Sequence, residues 1–176
     1  CVVAVLYATG MRISEVLNLE LRHIDFDRET IHVVQSKGSK DRMIGLSRAL
    51  KVIIDNYLME HSPQRYLFTG GGGGPYSASS VRQIIKRAAK KAGIQKRVTP
   101  HVLRHSYATH LIDNGVNLRH VQELLGHAKP ETTMIYTHVS TQKLTNIESP
   151  FDQLLKKNRI IDDTHNRIDF PGLSPS

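Results

Sequence analysis

Between His101 and Tyr136 the chain gathers residue types that hold or attack a phosphate: His101-Val102-Leu103-Arg104-His105, then Leu124-Leu125-Gly126-His127, then Ile135-Tyr136-Thr137-His138. A phenolate attacks phosphorus without a metal if cations and hydrogen-bond donors neutralise the non-bridging oxygens as charge builds up. The covalent phosphotyrosine keeps the energy of the broken bond, so a second DNA hydroxyl can reverse the step and join a different strand. His101 and Arg104, three apart in the first turns of a helix, form an anion clamp in which the guanidinium supplies a planar fork. Taken singly, a Tyr on an apolar face or a His after a glycine is ordinary packing. The chemistry rests on their conjunction.

These side chains need elements to aim them. Thr99 as N-cap and Pro100 at the first helical position open a helix that runs through Tyr107 and Leu111 to Asn114-Gly115. Asn117 caps a short helix whose Leu118, Val121, Leu124 and Leu125 read as core, and Gly126 stops it, so that a tight turn aims His127. Residues 130–135 suggest a further short helix for Tyr136.

Upstream, Cys1 to Ala8 reads as the end of a buried helix closed by Thr9-Gly10; with neither Met nor cap, residue 1 is expected to lie inside a helix of a longer protein. Arg12 stands at the mouth of the next helix, whose stripe is Ile13, Val16 and Leu17, with Glu15 one turn on. That pairing suits a pinned functional arginine and equally a surface ion pair. Residues 25–29 read as a turn, Thr30 to Gln35 and Asp41 to Leu46 as a hairpin, with Lys37 and Lys40 at its tip. Such a tip reaches toward a phosphate, although solubility alone produces the same residues.

Ser47 to Glu60 reads as an amphipathic scaffold helix with the stripe Leu50, Ile53, Ile54, Tyr57 and Leu58. Gly70 to Gly74 is expected to form a mobile loop that tolerates change. The helix from about Ser77 to Ala92 offers Ser77, Ser79 and Arg82 at its start and Lys86, Arg87, Lys90 and Lys91 along it, which suits an element lying against a DNA groove. The elements together make a mainly α chain with a small antiparallel β-sheet (α+β).

The charge agrees. Twenty-four Lys and Arg against sixteen Asp and Glu give a formal +8 over 176 residues, and the pI is near 9.7. No acidic residue occurs from His61 to Ile112, where Arg65, Arg82, Lys86, Arg87, Lys90, Lys91, Lys96, Arg97 and Arg104 all fall. That one-sidedness favours a polyanionic partner. The lone Cys1 excludes an internal disulfide and points to a reducing cytosol, the ten histidines show no zinc spacing, and no apolar run reaches the roughly 20 residues needed to cross a bilayer.

Five segments, Ala8-Thr9-Gly10-Met11-Arg12-Ile13-Ser14-Glu15-Val16, Ser36-Lys37-Gly38-Ser39-Lys40-Asp41-Arg42, His101-Val102-Leu103-Arg104-His105, Leu125-Gly126-His127 and Tyr136-Thr137-His138, together resemble the catalytic domain of the tyrosine recombinases, of the Xer and integron-integrase branches. The resemblance implies that residues 1–157 form that domain and that the N-terminal DNA-clamping domain is absent from this chain, while the polar composition of residues 158–176 predicts a loosely held tail. By residue, it implies Tyr136 as the nucleophile forming a 3′-phosphotyrosine, Arg12 and Arg104 on the scissile phosphate, and His101 assisting with the nucleophile's proton. It further implies His127 as another phosphate donor, Lys37 as the general acid for the 5′-hydroxyl, and Glu15 as their support. Lys40 and Arg42 join the basic helix as expected DNA contacts. It implies no metal, cofactor or membrane, and double-stranded DNA at a specific site as partner. The isolated domain is expected to be a monomer that assembles as a tetramer on synapsed DNA, passing on a segment around Ser149 to Leu155. A type IB topoisomerase shares the chemistry without the exchange of partners, and a non-cutting DNA-binding module shares the charge.

Overall fold

The computed structural model describes residues 1–34, 41–126 and 149–157, together with the backbone of residues 161–162 and 167–168. Helix α1 (Val2–Thr9) has the sequence VVAVLYAT, with no polar face to offer solvent. A helix apolar all round belongs inside. Accordingly α2 (Ile13–Leu17), α3 (Arg48–His61), α4 (Ala78–Lys91), α5 (Pro100–Asp113) and α7 (Pro150–Lys157) all pack against it. Val5, Leu6, Val16, Ile31, Ile44, Leu50, Ile54, Leu67, Phe68, Val81 and Ile85 form the main core around it. Each such side chain contributes about 1.5–3 kcal/mol by leaving water.

A smaller cluster of Tyr107, Leu111, Val121, Leu124 and Leu125 joins α5 to α6 (Leu118–Leu125). Leu118, expected in the core, is 58% exposed. It opens the helix immediately after its cap, a turn ahead of the residues that face Tyr107 and Leu111.

The sheet has three antiparallel strands, β1 (Ile24–Asp25), β2 (Thr30–Val33) and β3 (Arg42–Gly45), in that order. Ile31 pairs with Ile44 and Val33 with Arg42. β1 occupies the start of what reads in sequence as a plain turn. The turn itself is present, with the Asp25 carboxylate accepting from the N–H groups of Asp27 and Arg28, while Ile24 and Asp25 pair with Ile31 and Thr30. Two residues are too few to display a period of two. The hairpin strands are also shorter than expected, and Gln35 to Lys40 lie outside the described residues.

The helix starts follow their caps. Ser47 accepts from the Leu50 N–H at 3.3 Å, Ser77 from Ser80 at 3.0 Å, Thr99 from Val102 at 3.2 Å and Asn117 from Arg119 at 2.9 Å. The ends of the glycine loop are joined: Thr69 bridges Pro75, and the Gly70 N–H donates to the Gly74 carbonyl at 2.7 Å.

Helix α7 rests on its own chain's α1, α3 and α5, with Pro150 and Leu155 buried and the Phe151 ring edge-on to Tyr7. Within the stretch expected as tail, β4 (Ile161–Asp162) pairs with β5 (Arg167–Ile168). No helix among the described residues is long and apolar enough to cross a membrane.

Candidate active site

The site is built where α1 ends. Gly10 caps that helix at φ +61°, a conformation that favours glycine, and a Cβ there would lie 2.4 Å from the Tyr107 ring. Only a residue without a side chain lets α1 finish this close to α5. The close approach sets the Gly10 carbonyl 2.7 Å from Nη1 of Arg104, which donates to it.

Arg104 sits one turn inside α5, in the helix that Thr99 and Pro100 start. It is 8% exposed. Its second fork atom, Nη2, donates to the Leu125 carbonyl at 2.7 Å. Burial, and next the charge of Arg12, push Arg104 down to about 10, with Glu15 opposing, so the guanidinium keeps its charge at neutral pH.

Arg12 caps α2. Glu15, at the third position of that helix, reaches back to the Arg12 N–H at 2.7 Å and to its Nη1 at 2.9 Å. The Glu15 side chain is 7% exposed and that of Arg12 38%. Nη2 of Arg12 donates to the Gly126 carbonyl at 2.9 Å. Burial alone would raise the Glu15 carboxyl, but the hydrogen bonds and charges of Arg42 and Arg12 outweigh it and hold the group below its ordinary value.

Arg42 is a correction. Expected among the DNA contacts, it has a side chain 8% exposed. Its Nε donates to the Leu124 carbonyl at 2.7 Å, Nη1 to Oε1 of Glu15 at 3.0 Å and Nη2 to Oε2 at 2.9 Å. The alternation of β3 explains the placement, because Arg42, Ile44 and Leu46 lie on one face, and the two apolar members are buried. That period was available in the sequence; proximity to the lysine-bearing tip obscured it.

Three arginines from three elements therefore grip three successive carbonyls: Arg42 that of Leu124, Arg104 that of Leu125 and Arg12 that of Gly126. These are carbonyls that a helix C-terminus leaves without intrahelical partners and that carry its partial negative charge. Gly126 closes the helix at φ +64°. Among the described residues three guanidiniums face one carboxylate, a positive excess suited to an anion. Arg12 is its most exposed member.

His101 is exposed in the first turn of α5, three residues before Arg104. The structure thus brings Arg12, Glu15 and Arg104 together and places His101 on the same helix as Arg104. Lys37, Lys40, His127 and Tyr136 lie outside the described residues. Of the expected DNA contacts on α4, Arg82, Lys86 and Arg87 are all exposed, opposite the buried Val81 and Ile85. Ser77 and Ser79 are exposed too, but the Ser77 hydroxyl is engaged in capping and lies 2.7 Å from that of Ser79.

The chain is 43% identical over 148 residues to tyrosine recombinase XerC of Corynebacterium glutamicum, an alignment covering 81% of this chain and 47% of the relative. It is 39% identical over 155 residues to tyrosine recombinase XerD of Listeria monocytogenes, covering 84% and 52%. The chain spans about half the length of the curated relatives it matches. Among solved structures, XerA recombinase superposes with a TM-score of 0.67 at 31% identity, covering 90% of this chain and 57% of that one. XerH recombinase bound to its difH substrate superposes with a TM-score of 0.65 at 28% identity, covering 84% and 44%. These superpositions take in most of the chain, so the mainly α fold with its small antiparallel sheet is that of the tyrosine recombinase catalytic domain. The model of the phage integrase family matches residues 1–143, a span that contains every arginine of the cluster and all of α1 to α6, and the chain belongs to that family.

Proposed function

We propose that this chain is the catalytic part of a site-specific recombinase that cuts and rejoins double-stranded DNA through a 3′-phosphotyrosine. One observation carries the reading: Arg12 and Arg104 converge at the C-terminus of α6, directly before His127 in the chain, in a cluster with a positive excess. A phosphodiester brings one negative charge to that excess of two, which leaves one positive charge for the negative charge that builds up in the transition state. The difH substrate bound by the site-specific recombinase XerH supports a recombination site as the ligand.

In this mechanism the Tyr136 oxygen forms a bond to phosphorus while the bond from phosphorus to the 5′ oxygen breaks. The phenolic proton passes toward His101, and Lys37 delivers a proton to the departing 5′ oxygen. Arg12, Arg104 and His127 neutralise the non-bridging oxygens in the transition state. Attack by a 5′-hydroxyl of another strand runs the same steps backwards and releases Tyr136. Side-chain cations do the neutralising, so no metal or cofactor enters the scheme. Lys40 and the basic face of α4 hold the duplex, α7 and the chain around it join copies into a tetramer on two synapsed sites, and the reaction serves DNA in the bacterial cytoplasm.

The test is a nicked duplex carrying the recombination site, from which the cleaved strand diffuses away and traps the covalent species. The parent chain attaches to the 3′ end, with chelator present or absent. Tyr136→Phe forms no adduct. An adduct with Tyr136→Phe equal to that of the parent, or a strict requirement for magnesium, overturns the mechanism.

A further inference from the structure

We infer that Arg42 is a positioning residue for the cleavage reaction: by sharing the Glu15 carboxylate with Arg12 and tethering the Leu124 carbonyl, it keeps the charge of Arg12 available to the scissile phosphate. The inference rests on the reading of the cluster as a phosphodiester site.

Glu15 is the carboxylate bonded to both arginines, and each of its two oxygens accepts from both residues. Oε1 takes Nη1 of Arg12 at 2.9 Å and Nη1 of Arg42 at 3.0 Å; Oε2 takes the Arg12 backbone N–H at 2.7 Å and Nη2 of Arg42 at 2.9 Å. With one carboxylate between two guanidiniums, the pair of arginines retains a net positive charge. Without Arg42, a carboxylate 7% exposed would have Arg12 as its remaining guanidinium partner. An ion pair with a buried carboxylate balances itself and attracts a third charge weakly. Arg12, the more exposed arginine, would then offer less to a phosphate.

Position reinforces charge. Arg42 reaches α2 through Glu15 and α6 through Leu124, so a single side chain on β3 fixes the start of one helix relative to the end of the other. Those are the two places where Arg12 and its acceptor Gly126 sit. A direct role in gripping DNA does not suit a side chain 8% exposed whose Nε, Nη1 and Nη2 each donate to protein oxygens. A lysine offers a single point charge and cannot make the two-oxygen fork while reaching Leu124.

The experiment measures the rate of covalent attachment at saturating nicked duplex, and separately the Kd for that duplex. Arg42→Met is expected to lower the saturating rate about 30- to 100-fold, less than the roughly 10²–10³ for losing a donor that touches the developing oxyanion itself, while Kd changes less than about threefold because exposed phosphate contacts remain. Arg42→Lys, which keeps a charge, is expected to fall between the parent and Arg42→Met. Adding Glu15→Gln to Arg42→Met removes the carboxylate that would neutralise Arg12, and recovers about tenfold.

A parental rate in Arg42→Met overturns the inference, as does a loss that appears in Kd alone and vanishes at saturation. A double variant as slow as Arg42→Met reduces Arg42 to a brace and also overturns it. If the parent forms no adduct, the functional reading fails and takes the role in cleavage with it, whereas the titration of the Glu15 carboxyl, followed by carbon NMR, tests the sharing of the carboxylate by itself. Its midpoint rises in Arg42→Met if the carboxylate is shared. An unchanged midpoint refutes the sharing.

Discussion

The arginines at the end of α6 and those along α4 have the same chemistry and opposite settings. Arg42 and Arg104 are each 8% exposed, with carbonyl or carboxylate oxygens on both arms of the fork. Arg82 and Arg87 stand in solvent on a helix that buries only Val81 and Ile85. Desolvation separates their jobs. A buried guanidinium is fixed in position and acts strongly on nearby charge, because little water screens it. An exposed one attracts a polyanion through counterion release and leaves geometry to the rest of the fold. Net charge counts both alike.

The largest expected effect breaks this contrast at its buried end. Arg104→Ala should lower the saturating attachment rate by about 10²–10³, the range for losing one preorganised donor to a developing oxyanion; a loss confined to affinity would place Arg104 with the α4 residues instead. Gly10→Ala tests the joint on which Arg104 depends. The left-handed conformation and the clash with Tyr107 should together cost about 2–5 kcal/mol in urea unfolding.

At the exposed end, Arg82→Gln with Lys86→Gln should reduce the slope of log affinity against log salt by about 2, close to one for each contact, and the loss should be made up by adding DNA. An unchanged slope would remove α4 from the DNA face.

The smallest effect concerns pH. The folded Glu15 carboxyl lies below the ordinary glutamate value of 4.5, so as pH falls from there the unfolded chain takes up the proton first. The stabilisation from Glu15 is therefore complete above pH 4.5 and is lost as pH drops through the folded value. Glu15→Gln should flatten that part of the curve of stability against pH.

Local signals were the legible ones. Ser47, Ser77, Thr99 and Asn117 announce helix starts, and Gly10 and Gly126 helix ends, because capping is chemistry between near neighbours. The pairing of Arg12 with Glu15 is of the same kind. By contrast, β1 exists only because β2 lies beside it, and Arg42 meets Glu15 across 27 residues of chain. Least legible were the acceptors at the end of α6. Every residue has a carbonyl, so sequence carries no mark of the three that receive arginines; only the C-terminus of a helix, once placed, singles them out.

Those three bonds also impose a timetable on synthesis. Arg12 must wait for an acceptor 114 residues later and Arg42 for one 82 residues later, whereas Arg104 precedes its own by 21. At a translation speed of about 5–20 residues per second, Arg12 leaves the ribosome roughly 6–23 s ahead of Gly126. During that interval Glu15, three residues away, is already present to hold it. The finished cluster keeps that pair and adds the Gly126 carbonyl to it, so Arg12 gains its distant acceptor without giving up its near one.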